Sequence, residues 1–472
     1  MYRPLMHKKL LFLFVFILAI PNVKADFIDS LKKQVIDFPF PESDTSAKFN
    51  DLLSADTLEL FRISDACGKI GNYYLKNNQY EDAVLFFKRQ TMLLKVLNLI
   101  FPDRVNYKKE LINVFNRAGA ASLFINEFEK ARKYFLNALD YFFRLNLVQQ
   151  KNLEVRAGLF NVYVNLGKIY SFIDDFPMAL TYNLKALEIS DAIKDYYGSI
   201  AVCNQIGLLY RIQKRYDSSI SWYIRGMKIS EILGSQKEPA DAYYQLGETF
   251  YIKGDFTSAI NYFSKSNRIW KAQLERQPDD SVAATRLLNG YMNVIFCMKD
   301  TMSDKNIVPF FNETQKILPM VKDNKSLCIY FERKSFLSRL KRDSKNEILN
   351  LEKALSYARE TKEGSISLSY LFKLFQLYKK INRQTEANYY EINYNSCKDS
   401  LAEVQSSLKE KKQEIKASIK KQAMEEKTLI EQIKAEEANE NERAGLLQKI
   451  GFAFLGILLI IGLFYRYKRK KN

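Results

Sequence analysis

From residue 64 to residue 273 apolar positions recur at helical spacing, and the pattern restarts five times. Each unit reads as two amphipathic helices, A and B, joined by a short polar turn such as Lys76-Asn77-Asn78-Gln79 or Ile252-Lys253-Gly254-Asp255. From 274 to 397 the helical period persists, but the units match poorly. "LNLEKALSYARE" reads as a helix B, and a last hairpin carries Tyr378 and Ala387 at matching positions, for about eight hairpins in all. Residues 26–63 are expected to form an N-terminal helical cap. Between 398 and 446 Lys and Glu interleave with no proline, which predicts one charged helical stalk. Leu401, Leu408, Ile415 and Leu429 share a heptad position and Val404 sits at its partner position. Lys411, Ser418 and Glu425 interrupt that seam, so a homodimeric coiled coil and a single charge-stabilised helix both fit.

Within the five units the offsets are fixed. Glycine recurs at Gly71, Gly119, Gly167, Gly207 and Gly247. Nine residues on comes an aromatic, Tyr80, Phe128, Phe176, Tyr216 or Phe256, and three further a small residue, Ala83, Ala131, Ala179, Ser219 or Ala259. Four beyond that stands a second aromatic, Phe87, Phe135, Tyr223 or Phe263, except in the third unit, which has Asn183. The glycine is expected to let helix A approach its partner closely, and the first aromatic to plug the turn. The small residue and second aromatic form the interlocking face of helix B. One such hairpin cannot bury its own apolar faces, so neighbours must stack.

This pattern resembles the tetratricopeptide repeat (TPR). The first unit carries Gly71, Tyr74, Ala83 and Phe87 at the signature offsets, and the third carries Gly167, Tyr170, Ala179 and Ala186. The signature tryptophan is replaced by Cys67, Phe115, Tyr163, Cys203 and Tyr243, and the last small position of the first unit by Gln90. Glycine spacings of 48, 48, 40 and 40 exceed the usual repeat, so longer helices or linkers must fill the difference. The resemblance implies an all-α fold, a TPR-like helical-hairpin superhelix or α-solenoid. It also implies that helix A residues two before the glycine line a concave groove that contacts extended peptides. Here these are Lys69, Arg117, Asn165, Gln205 and Gln245, with Asn72, Asn113, Asn161 and Lys168 extending the row. All are polar, and amides and cations suit peptide backbone and carboxylate groups. A concave surface is also polar simply because it is wet.

The chain ends change the picture. A basic start, the apolar run from Leu10 to Ile20, Pro21, and small residues before Asp26 have the layout of a signal peptide over 1–25. The apolar stretch 447–465 is expected to be one transmembrane helix, and the basic residues in 466–472 place that tail in the cytoplasm. The bulk would then lie in the periplasm, tethered to the inner membrane.

Charge and chemistry mostly exclude. The net charge of +18 falls to +9 once Arg3, Lys8, Lys9, Lys24 and the five cations of the tail are subtracted, and no basic block remains for nucleic acid. The one histidine, His7, lies in the expected signal peptide, so the mature chain has no histidine for catalysis or metal. Five scattered cysteines show no CxxC and read as core residues, and no nucleotide-binding or hydrolase motif occurs. No catalytic residue, metal or cofactor is expected, and the chain is not expected to be an enzyme. The layout resembles Gram-negative envelope sensors that carry this repeat, a long helix and a span, but it lacks their kinase or helix-turn-helix domain. The expectation is a sensor or adaptor that binds a peptide or protein and is read by a separate signalling partner. The alternatives are a structural scaffold for envelope assembly, or the truncated sensory half of a regulator or kinase.

Overall fold

The structure is a computed structural model of the chain. It describes residues 21–36, 38–40, 51–234, 238–298, 304–361, 363–421 and 424. Residues 1–20 of the expected signal peptide, most of the stalk beyond 421, the span 447–465 and the tail 466–472 lie outside the described residues. Among the described residues no helix is long and apolar enough to cross a membrane, and there is no strand.

The chain divides into two compact units, Met1–Lys409 and Glu410–Asn472. The first is an all-α solenoid of TPR-like hairpins. A cap helix α1 (Pro21–Ile36) packs on α2 (Thr57–Lys76), which with α3 (Tyr80–Ile100) makes the first hairpin. The second pairs α4 (Val105–Phe124) with α5 (Phe128–Phe143). A one-turn helix α6 (Leu147–Gln150) precedes the third, α7 (Leu153–Phe172) with α8 (Phe176–Ile193). Then come α9 (Tyr196–Ile212) with α10 (Tyr216–Ile232), and α11 (Glu238–Lys253) with α12 (Phe256–Arg276). The sixth hairpin is α13 (Ser281–Met298) with α14 (Asp304–Ile317), and the seventh α15 (Asn324–Leu340) with α16 (Ser344–Glu360). The eighth opens with α17 (Gly364–Lys380), and its partner α18 starts at 384. Eight hairpins are counted among the described residues. The first hairpin starts at Thr57 rather than 64, capped by Asp56. Helix α18 runs through the expected boundary at 397/398, because no glycine or proline interrupts it there.

The long glycine spacings have two sources. α3 has 21 residues where α10 has 17, and α6 with its flanking loops is inserted between the second and third hairpins.

One turn closes almost every hairpin. The second residue after helix A, or the first after α11, sits in the left-handed region: Asn78, Asn126, Asp174, Lys214, Gly254, Arg342 and Asn382. The next amide donates back to a carbonyl in the last turn of helix A, as from Gln79 to Tyr74 at 2.9 Å and from Arg383 to Tyr378 at 3.0 Å. This is the Schellman closure, which satisfies the orphan carbonyls and reverses the chain. Asp175, Asp255 and Asp343 then cap helix B through its free amides.

The core is the seam between helices A and B. Ala83, Ala131, Ala179 and Ala259 are wholly buried. A Cβ added to Gly71, Gly119, Gly207 or Gly247 would stand 2.6 to 2.8 Å from the ring of Phe87, Phe135, Tyr223 or Phe263, so each ring lies directly on the glycine. The first aromatic of helix B does more than plug its own turn. Tyr80 stacks on Phe124 at 4.4 Å and Phe128 on Phe172 at 3.9 Å, joining each hairpin to the next.

Candidate functional site

The turn sets a register for seven of the eight hairpins, that of the sixth lying outside the described residues. Counting nine residues back from each left-handed residue gives Lys69, Arg117, Asn165, Gln205, Gln245, Arg333 and Lys373. The first five are the residues expected from the glycines. The last two were missed because Ser335 and Phe375 stand where the glycine would be. All seven side chains carry hydrogen-bond donors, so one row of donors runs along the A helices.

Two residues before each turn stands a second row: Lys76, Phe124, Phe172, Ile212, Ile252, Leu340 and Lys380. Its five middle members are apolar, and Phe124 is 62%, Ile212 53%, Ile252 51% and Leu340 43% exposed. The rows are seven residues apart on each helix, hence on one face and about 10 Å apart along the axis. The face therefore has a polar lane and an apolar lane.

Most of the donors are tethered, in four groups. Arg117 donates to Asn72 Oδ1 at 3.2 Å, pairs with Glu110 and lies over the Phe87 ring at 5.3 Å. Asn165 donates to Asn116 at 3.4 Å and accepts from Lys168 at 3.4 Å. Burial pulls the Lys168 pKa below the usual lysine value. Further along, Arg211 pairs with Glu248 at 3.0 Å, while Tyr223 donates to Gln245 at 3.5 Å. Arg333 lies 3.8 Å over the Phe296 ring, and both it and Lys373 pair with Glu332. Lys69 stands apart, paired with Asp65 at 2.6 Å. The acids Glu110, Glu248 and Glu332 were not foreseen, and they neutralise much of the positive charge that the row carries. A ligand carboxylate would have to compete with them.

Between successive hairpins the face opens into pockets. One, of about 310 Å³, lies among Arg211, Glu248, Tyr251, Asn293, Phe296 and Arg333. Others, of about 360 and 520 Å³, involve Lys168 with Gln205 and Lys373 with Lys380. Among the described residues no cluster of His, Cys, Asp and Glu could hold a metal. The cysteines are free, and burial pushes the Cys67 thiol up to about 12 and those of Cys203, Cys297 and Cys328 up to about 11.

The fold and this face define a TPR-like helical repeat protein. Residues 198–272, the fourth and fifth hairpins, match the family model for the tetratricopeptide repeat. The chain is similar in fold to a signal transduction ATPase with numerous domains and a tetratricopeptide repeat sensor from Pyrococcus horikoshii. That match has a TM-score of 0.50 and 17% identity, and covers 75% of this chain and 50% of that one. BtubC from P. vanneervenii matches 51% of this chain and 91% of its own at 16% identity and a TM-score of 0.42. Aspartyl phosphate phosphatase F from Bacillus subtilis matches 72% and 80% at 15% identity and a TM-score of 0.44. No curated protein matches the sequence.

Proposed function

We propose that the A-helix face binds an extended segment of a protein partner. The observation that carries this is the pairing of the two lanes. An extended chain can offer backbone carbonyls to the donors and apolar side chains to Phe124, Ile212, Ile252 and Leu340. Phe124 also stacks on Tyr80, but it, Ile212, Ile252 and Leu340 still leave apolar surface open that the packing between hairpins does not cover. The test selects peptides from a random library on the full-length protein. Replacing Ile212, Ile252 and Leu340 together by serine is expected to abolish the selected binding. Replacing Lys88, Lys228 and Lys345, which are exposed on B helices, by serine should leave it intact. Equal binding by the two triple variants would reject the reading.

The chain acts, in this reading, as a membrane-anchored sensor or adaptor. Support comes from the apolar stretch 447–465 and the basic residues after it. The repeats would stand outside the cytoplasmic membrane, and occupancy of the A-helix face would be passed to a separate membrane or cytoplasmic partner. Reporter enzymes fused at the tail and within the array should report opposite sides. Crosslinking along 447–465 should recover the partner, and recovering none would favour a scaffold.

A further inference from the structure

The third hairpin departs from its sisters at one buried position. Where the other four place a ring on the glycine, it has Asn183, 2% exposed, on Gly167. Its Nδ2 donates to the Ala179 carbonyl at 2.8 Å, while its Oδ1 is buried and has no partner. An asparagine is shorter and narrower than a phenyl ring. A pocket of about 360 Å³ opens here on the A-helix face, lined by Gly167, Lys168, Phe172, Asn183, Gln205 and Leu208.

The next hairpin shows what such a place accepts. Tyr223, forty residues after Asn183, lies on Gly207, and its hydroxyl donates to Gln245 at 3.5 Å. Gln205 stands forty residues before Gln245, nine before its own turn residue Lys214. The third hairpin thus keeps the glycine, and the fourth offers it the glutamine, but the ring between them is missing.

We propose that a bound polypeptide supplies this ring: the pocket receives a tyrosine side chain of the partner. Phe172 and Leu208 would flank the ring. The orphaned Asn183 Oδ1 would accept the one proton of its hydroxyl, and the Gln205 side-chain amide and the Lys168 ammonium would donate to the hydroxyl oxygen. A phenylalanine would leave those groups unpaired, and one lost hydrogen bond of this kind costs about tenfold in affinity. The proposal rests on the A-helix face being the binding face, and it names one side chain that face selects.

The test titrates N-acetyl-L-tyrosinamide and N-acetyl-L-phenylalaninamide into the full-length protein, followed by saturation-transfer NMR. The tyrosine probe is expected to bind about tenfold better. Asn183→Tyr gives the third hairpin its own ring, as Tyr223 gives the fourth. It should keep or raise the melting temperature and weaken the tyrosine probe at least tenfold. Leu208→Trp blocks the same pocket from an exposed position and should do likewise, which covers the case in which Asn183→Tyr fails to fold. Gln205→Leu should bring the two probes closer together. Equal affinity for both probes, or undiminished binding to Leu208→Trp, overturns the proposal. Selected peptides that lack tyrosine overturn it too, and leave the binding face standing. If no peptide is selected, the face falls and the pocket's role with it.

Discussion

The ring of Phe135 lies on Gly119 so closely that a methyl on the glycine would stand 2.6 Å from ring carbon Cε1. Phe135 is wholly buried in helix α5, so the ring cannot swing away. Gly119→Ala gains up to about 1 kcal/mol of helix propensity but overpacks a tight seam, at about 3 kcal/mol. Denaturant unfolding should show a net loss of about 2 kcal/mol, and Gly119→Ala with Phe135→Leu should recover part of it.

The left-handed turns give the opposite sign. Lys214 and Arg342 have φ of 60° and 55°, which costs a side-chain-bearing residue about 1 kcal/mol or more. Gly254 fills the same place at φ 90°. Lys214→Gly relieves that cost but frees the unfolded chain, so a gain between zero and about 1 kcal/mol is expected. Gly254→Ala should lose about 1 kcal/mol. Thermal melts of the two variants should move in opposite directions.

Asp255 caps α12, taking the Ser258 hydroxyl at 2.6 Å and the Ser258 amide at 3.0 Å. These bonds hold its pKa below the usual aspartate value. A folded pKa below the unfolded one means that the cap stabilises fully above the unfolded value, near 4. The contribution fades as pH falls through the lower folded value. Asp255→Ala should cost about 1 kcal/mol at neutral pH. The gap between wild type and variant should close as pH drops below about 4. A gap independent of pH would show that the carboxylate is not the cap.

Four of the five cysteines are buried, and burial raises their pKa to about 11 or 12. Only the half-buried Cys397 is open to reagent. A thiol reagent at pH 8 should modify one cysteine quickly in the folded chain and all five after denaturation. Two or more fast thiols would contradict the packing around Cys67 and Cys328.

Glu332 holds both Arg333 and Lys373, the last two donors of the polar lane. Glu332→Gln keeps the size of the side chain and releases both cations. The lane should then bind acidic peptides several-fold more tightly, and more so at low salt. Stability should fall by about 1 kcal/mol, since Arg333 and Glu332 are both mostly buried. Affinity and melting temperature measured together separate the two effects.

The hairpins are legible wherever a glycine meets a ring, because that close approach demands both residue types. Five registers follow from Gly71 to Gly247. The last hairpin's register follows from Tyr378 and Ala387, whereas that of the seventh rests on backbone conformation at Arg342, which no residue type announces. The donors are readable one helix at a time. Their acids are not: Glu248 reaches Arg211 from the next hairpin, 37 residues away. Phe124 and Leu340 were in plain view, but on an amphipathic helix an apolar residue reads as core until its exposure is known.

Helix α14, 14 residues long with Pro309 inside it, is the shortest helix B among the described residues. In a linear array each unit is held mainly by the two beside it, so cooperativity passes along it like tension along a chain of links. The thinnest link then decides where the chain parts. Under denaturant the hairpins before α14 and those after it should melt as separate blocks. The array that looks continuous would behave as two coupled springs joined at one soft segment, free to change their relation without either one coming apart.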